Sequence, residues 1–193
     1  MGGLVMKIGL IRHGLTEWNK KGRAQGHSDI PLCKEGRAEA DQLANRMAGE
    51  QWDVIYSSDL KRAKETAEAI TKKVDIEIHL DKRLRERHGG QIEGTTEADR
   101  LKKWGDNWRA LDLDIETGEE MSARGMEFLE DIIGKHRGEN VLIVSHGAFL
   151  KQLLRTLFPQ TDVEKSLKNC SVTMLETDGD RWDLTLHNCV KHM

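Results

Sequence analysis

Apolar runs of strand length alternate with amphipathic helical stretches along this chain, and that alternation limits its fold more than any other feature. "MKIGLI" (6–11) and "NVLIVS" (140–145) are nearly continuous apolar runs, the pattern of strands buried on both faces. "WDVIYSS" (52–58) and "DIEIHL" (75–80) read as two more strands. Helical patterns lie between them. "KEGRAEADQLANRMAGE" (34–50) sets Leu43 and Met47 at i, i+4, and "SDLKRAKETAEAITKK" (58–73) opens on a Ser/Asp cap. Residues 93–137 are mostly helical with a break at "IETGEE", and "HGAFLKQLLRTLF" (146–158) is stopped by Pro159. "SVTMLETDGDRWDLTLH" (171–187) reads as two strands around an Asp-Gly turn. Strands that alternate with helices predict an α/β fold with a mainly parallel sheet covered on both faces and an antiparallel C-terminal hairpin. No linker or repeat divides the chain, so residues 1–193 are expected to form one domain. The stretch from about 93 to 137 is long enough for a helical lid.

Composition narrows the partners. Of 193 residues, 37% are hydrophobic and 33% charged, with two prolines, which excludes a disordered or membrane-embedded chain. A net charge of -3 offers no global attraction to nucleic acid or an acidic membrane, so any anion chemistry must come from a local group of cations. Cys33, Cys170 and Cys189 are widely spaced and form no CxxC pair, which suits a reducing compartment. The start, "MGGLVMKIGLI", lacks the basic region and cleavage site of a signal peptide, and Met6 breaks the myristoylation pattern. A cytoplasmic location is expected.

Two of the strands end alike. "GLIRHG" and "LIVSHG" each deliver a His-Gly pair at the end of an apolar run. In a parallel sheet the carboxyl ends of the strands share one edge, where ligands bind, so His13 and His146 can meet there. Either histidine alone reads more readily as a strand terminator bonded to nearby backbone; the repetition favours a site. In "SSDLKRAKETAEAI", Lys61 and Arg62 occupy the first turn of a helix, where the macrodipole disfavours cations by about 0.3–1 kcal/mol each. That placement makes sense if an anion binds at this helix end, although solvated charges near Asp59 are the plainer alternative. "RLRERHGGQIEG" places Glu86 between Arg85 and Arg87 in a glycine-rich loop, where a carboxyl group can serve as general acid or base.

These parts suit phosphoryl transfer without a metal. Arg12 and Arg62 can clamp phosphoryl oxygens, and His13 can attack phosphorus once its other nitrogen is held. His146 can donate to the phosphoryl group, and Glu86 can protonate the departing alkoxide.

The motifs "LIRHGLTEWN", "GHSDIPL", "YSSDLKRAKETAEAI", "LRERHGGQIEG" and "VSHGAFL", in this order over nearly the whole chain, resemble the histidine phosphatase superfamily in its phosphoglycerate-mutase-like branch. The resemblance implies a three-layer α/β/α sandwich, His13 as the phosphorylated nucleophile, and Arg12, Arg62 and His146 as the rest of the phosphate pocket. It further implies Glu86 as proton donor, Asn19, Gln25 and Gly26 as substrate-binding groups, and no cofactor or metal. Gly89 stands where the mutase pattern has tyrosine, and the mutases' later paired arginines have no clear match. "RAQG" and the chain length are similar to the bacterial PhoE-type phosphatases. The expected activity is hydrolysis of a small phosphorylated substrate. A cofactor-dependent phosphoglycerate mutase and a non-catalytic phosphate-binding regulator are the alternatives, and the oligomeric state is left open.

Other residues carry less. His27, His79 and His136 read as surface or satisfied histidines, and His88 as a neighbour of the site loop. His187, Cys189 and His192 crowd the end of the chain in no common zinc spacing. Trp104 and Trp108, at i, i+4, read as core packing or as an apolar wall of the substrate pocket.

Overall fold

The computed structural model describes residues 4–163 and 165–193; the N-terminal reading at positions 1–3 lies outside them. Strands β1 (Met6–Arg12), β2 (Val54–Ser57), β3 (Ile78–Leu80), β4 (Asn140–Ser145), β5 (Val172–Thr177) and β6 (Trp182–Cys189) form one sheet in the order β3-β2-β4-β1-β5-β6. The first four strands of that order are parallel; β5 runs antiparallel to β1, and β6 to β5, as the C-terminal hairpin. The helices are α1 (Glu17–Lys20), α2 (Lys34–Met47), α3 (Lys61–Thr71), α4 (Glu97–Trp104), α5 (Gly118–Lys135) and α6 (Gly147–Leu157).

The central strand explains the layers. Side chains alternate across a strand, so β4 sends Val141 and Ile143 to one face and Leu142 and Val144 to the other. The first pair joins Ile8, Leu10, Phe128 and Phe149 in a core under α5 and α6. The second pair joins Ile55, Leu43, Met47 and Ile70 in a core under α2 and α3. Both faces are covered: the protein is a three-layer α/β/α sandwich with a mainly parallel sheet.

Several local expectations change. The strand expected at 75–80 forms only over Ile78–Leu80, at the sheet edge, where two of its three residues are exposed. The helix expected at 34–50 stops at Met47. The 93–137 stretch divides into α4, a 3₁₀ turn at Trp108–Ala110 and α5, because Gly105 leaves α4 at φ 79°. Trp104 and Trp108 therefore share no helix. Trp108 is buried and donates from Nε1 to Glu97 Oε1 at 3.1 Å. The cap of α3 is also not the Ser/Asp pair. Leu60 is the N-cap residue without a side-chain bond, and Lys61 N instead donates to Asp29 Oδ1 at 2.7 Å. The capping group thus comes from a distant loop, which periodicity along the helix cannot report. Helix α1, closed by a Thr16–Asn19 capping box, falls in what reads as a polar loop. Among the described residues no helix is long and apolar enough to cross a membrane.

Candidate active site

The parallel register brings the strand ends together. Arg12 pairs with Ser145 and Ser57 with Val144. The pattern continues one residue further, with His13 N donating to Ser145 O and Ser58 N to Val144 O, each at 3.0 Å. His13, His146 and Ser58 consequently stand along one rim of the sheet, and the two imidazole centroids are 5.2 Å apart.

His13 is buried, and its Nδ1 lies 2.7 Å from Gly14 O. A carbonyl can only accept, so Nδ1 carries the hydrogen and the lone pair sits on Nε2. Burial, then the charges of Arg62 and Arg12, push this imidazole well below its ordinary pKa, against the smaller opposing effect of the Gly14 carbonyl. The ring is neutral at pH 7. His146, the N-cap of α6, is fully buried, and its Nε2 lies 2.8 Å from Ser58 Oγ. Ser58 Oγ also accepts from Leu60 N at 3.3 Å; when its own hydrogen is given to His146 Nε2, the imidazole hydrogen rests on Nδ1. That Nδ1 is buried with no hydrogen-bond partner. Burial, then Arg62 and His13, hold His146 neutral as well.

Arg62 is the largest fully buried side chain among the described residues. Its Nη1 and Nη2 donate to Ser28 O and Gly26 O, each at 2.8 Å, while its Nε has no partner. Burial lowers its pKa to about 10, with Glu86 acting in the opposite direction, so it remains a cation at neutral pH. Arg12 donates from Nη1 to Leu167 O, and its Nε is likewise buried and unpartnered. Burial lowers its pKa too, again opposed by Glu86. Three nitrogens, on Arg12, Arg62 and His146, are therefore buried without partners around one neutral histidine. Groups of this kind are costly unless a ligand satisfies them.

Glu86 lines a cavity of about 230 Å³ with Arg12, Gly147, Ala148, Lys151, Ser166 and Leu167. Its Oε1 accepts from Arg87 N at 2.8 Å and Phe149 N at 2.9 Å, and its Oε2 from Ala148 N at 3.2 Å, which anchors the carboxylate at the start of α6. The structure therefore brings Arg12, His13, Arg62, Glu86 and His146 together. Asn19 Oδ1 accepts from Thr16 N at 3.1 Å, and Gln25 Oε1 from Thr16 Oγ at 2.8 Å. Gly26 contributes its carbonyl to Arg62.

Lys61 is exposed, and its Nζ lies 4.0 Å from Asp29, outside the pocket. Arg85 and Arg87 also serve the scaffold. Arg85 binds Asp59 at 2.6 Å and holds that carboxyl below its ordinary pKa, while Arg87 Nε donates to Glu116 O at 2.6 Å. His27 is closer to the site than the sequence suggests, and His88 stands beside it as a neighbour of the site loop. His27 Nε2 donates to Glu86 O at 2.8 Å, and the two rings meet at 5.1 Å on the wall of a cavity of about 590 Å³. Neither Trp104 nor Trp108 lines that wall. His136 bonds Tyr56 and Glu139, and His79 stacks near Tyr56. Cys189 Sγ and His192 Nδ1 both accept from Arg46. Among the described residues the one cluster with metal-ligand spacing is Glu17, Cys33 and Glu35, where Lys20 already bonds both carboxylates.

Sequence reasoning missed five supporting groups. Ser58 stands at a strand's carboxyl end, the same signal that singled out His13 and His146. Thr66 Oγ accepts from Gly14 N at 3.0 Å, and Asn169 Nδ2 donates to His13 O at 3.0 Å. Arg124 Nη1 donates to Arg83 O and Arg85 O, steadying the Glu86 loop, and Glu93 joins that loop to residues 26–28. The last four act across large sequence separations and have no local signature.

The profile of the histidine phosphatase superfamily (branch 1) matches residues 8–190. Phosphoglycerate mutase-like protein 4 of Arabidopsis thaliana is 35% identical over 97% of this chain and 86% of its own length. Metal-independent phosphoserine phosphatase of the same organism is 34% identical (98% and 84%). The uncharacterized phosphatase PhoE of Bacillus subtilis is 33% identical (95% and 95%). Among solved structures, Bacillus stearothermophilus YhfR superposes with a TM-score of 0.87 at 33% identity, covering 97% of this chain and 98% of that one.

Proposed function

The chain belongs to the histidine phosphatase superfamily, and we propose that within it the protein is a metal-independent phosphatase acting on small phosphate monoesters. The observation that carries this reading is the set of three unpartnered buried nitrogens around a neutral His13 whose Nε2 bears the lone pair. A phosphoryl group satisfies all three and supplies the electrophile in one step. Arg12 and Arg62 neutralise its charge, and His146 Nδ1–H donates to an oxygen. Asn19 and Gln25 add amide donors.

His13 Nε2 then attacks phosphorus, the P–O bond to the alcohol breaks, and Glu86 delivers a proton to the departing oxygen. Water attacks the phosphohistidine, Glu86 takes its proton, and the P–N bond breaks to release inorganic phosphate and restore His13. Residues 93–137 are read as a helical lid within a single 1–193 domain, and its Asp114 and Glu116 help to wall the cavity beside His27 and His88. Gly89 supports phosphatase over mutase chemistry: a side chain there would meet Glu93 Cγ at 2.8 Å, so the aromatic of the mutase pattern would displace Glu93.

Hydrolysis of a chromogenic phosphomonoester without added metal is the test. The wild type should release phosphate, and His13→Ala should lose more than about 10³-fold in rate. Activity that survives His13→Ala rejects the proposal, and bisphosphate-stimulated interconversion of 2- and 3-phosphoglycerate replaces it with the mutase.

A further inference from the structure

Arg62 holds two main-chain carbonyls, and the same short segment carries N–H groups that turn the opposite way. The peptide group between Gly26 and His27 accepts from Arg62 Nη2 at its oxygen, 2.8 Å, and donates from its nitrogen to Glu93 Oε1, 2.9 Å. One peptide dipole thus lies between a buried guanidinium and a carboxylate, aligned with both. Ser28 touches both groups through two different peptide units, donating to Glu93 Oε2 from N at 2.9 Å and from Oγ at 2.5 Å while its carbonyl accepts from Arg62 Nη1. Glu93 Oε1 also accepts from Gly89 N at 3.0 Å, three residues beyond Glu86.

We propose that Glu93 is a positioning residue for this reaction: it aims the Arg62 guanidinium through the 26–28 peptide groups and fixes the Glu86 loop in register with it. The inference rests on the phosphate-site reading above. Hydrogen bonds to charged groups are the strong ones, and a peptide polarised from both sides is a stiffer support than a carbonyl alone. Burial works against an ionised Glu93, but the bonds from Ser28, His27 and Gly89 together hold its carboxyl below the ordinary value. Its negative charge in turn favours the charged Arg62. Gly26 fits the same account. Its φ is 52°, and a Cβ would lie 2.1 Å from Glu93 Oε1, so a side chain there would push the carboxylate away.

Glu93→Gln keeps the shape but puts an amide N–H₂ against N–H donors. Its effect is read as the inhibition constant of inorganic phosphate, which reports the Arg62 clamp, and as kcat, with Glu93→Gln repeated in an Arg62→Ala background. The proposal expects phosphate to bind about tenfold more weakly in Glu93→Gln, kcat to fall, and the added effect to shrink to about twofold or less once Arg62 is gone. A purely structural Glu93 predicts equal effects in both backgrounds, and that result, or unchanged phosphate binding in a folded Glu93→Gln, overturns it. Should thermal melting show Glu93→Gln unfolded, Ser28→Ala removes only the hydroxyl bond to Glu93 and is read in the same cycle with a smaller shift. His13→Ala in the same assay tests the underlying reading separately: if it retains full turnover, the phosphatase mechanism has failed, whatever Glu93 does.

Discussion

His13-Gly14 and His146-Gly147 are the same dipeptide at the ends of neighbouring parallel strands, yet their surroundings engage opposite nitrogens of the two imidazoles. Beyond His13 the chain turns into a loop, and the nearest acceptor is the carbonyl of Gly14, which captures Nδ1–H and leaves Nε2 as a base. Beyond His146 the chain enters α6, and Ser58 from β2's end occupies Nε2, which leaves Nδ1 as the unpartnered nitrogen. The glycines differ as well. A Cβ on Gly14 would meet a backbone atom, Gly36 O, at 2.6 Å, whereas one on Gly147 would meet the Arg12 guanidinium at 3.1 Å. One glycine packs the scaffold and the other makes room for the clamp. A motif therefore marks where a site lies, while the groups packed against it decide which atom acts.

The comparison breaks most visibly at the histidines. Under the proposed mechanism, His13→Gln abolishes the acid-labile phosphoenzyme formed from labelled substrate. His146→Gln should still form it, with kcat lower by about 10²–10³-fold, the cost of one lost transition-state donor. Equal labelling of both variants would erase the distinction.

The pH dependence of stability treats the two alike. Both imidazoles are held well below their ordinary value, chiefly by burial, so the unfolded chain takes up protons that the native state refuses. Their stabilising contribution is complete above the unfolded pKa of about 6.5 and is lost as pH falls below it, by about 1.4 kcal/mol per pH unit for each group. Denaturant midpoints between pH 7 and 5 should fall, and more gently in His146→Gln.

The glycines separate next. Gly14→Ala should destabilise the fold by about 1–3 kcal/mol, seen as a lower melting temperature. Gly147→Ala should keep that temperature and raise KM, by less than about tenfold, since only a side chain must yield. Smallest is Ser58→Ala, which leaves His146 Nε2 without its partner and should lower kcat about tenfold with KM little changed. An unaltered kcat would show that Ser58 does not set the donor nitrogen.

Much of this was readable in advance. The apolar runs at 6–11 and 140–145 marked the central strands because a strand buried on both faces has no polar side to show. The two His-Gly endings marked the rim because parallel strands must share one. Legibility failed where partners are remote. Asp29 caps α3, Arg124 steadies the Glu86 loop, and Asn169 reaches His13 O, and no window along the chain contains both members of any of these pairs. It failed at Trp104 and Trp108 for a local reason: Gly105, at positive φ, ends the helix on which their spacing depended.

The residues alone determined that the chain would build a mainly parallel sheet and that Arg12, His13, Arg62, Glu86 and His146 were its reactive candidates, since burial periodicity and strand polarity are properties of short segments. Only the tertiary structure decided the state of each candidate: which imidazole nitrogen is bare, how deeply Arg62 is buried, and that Glu93 grips the loop Arg62 leans on. Those are matters of desolvation and of donors meeting acceptors, and both are set by what folding brings near.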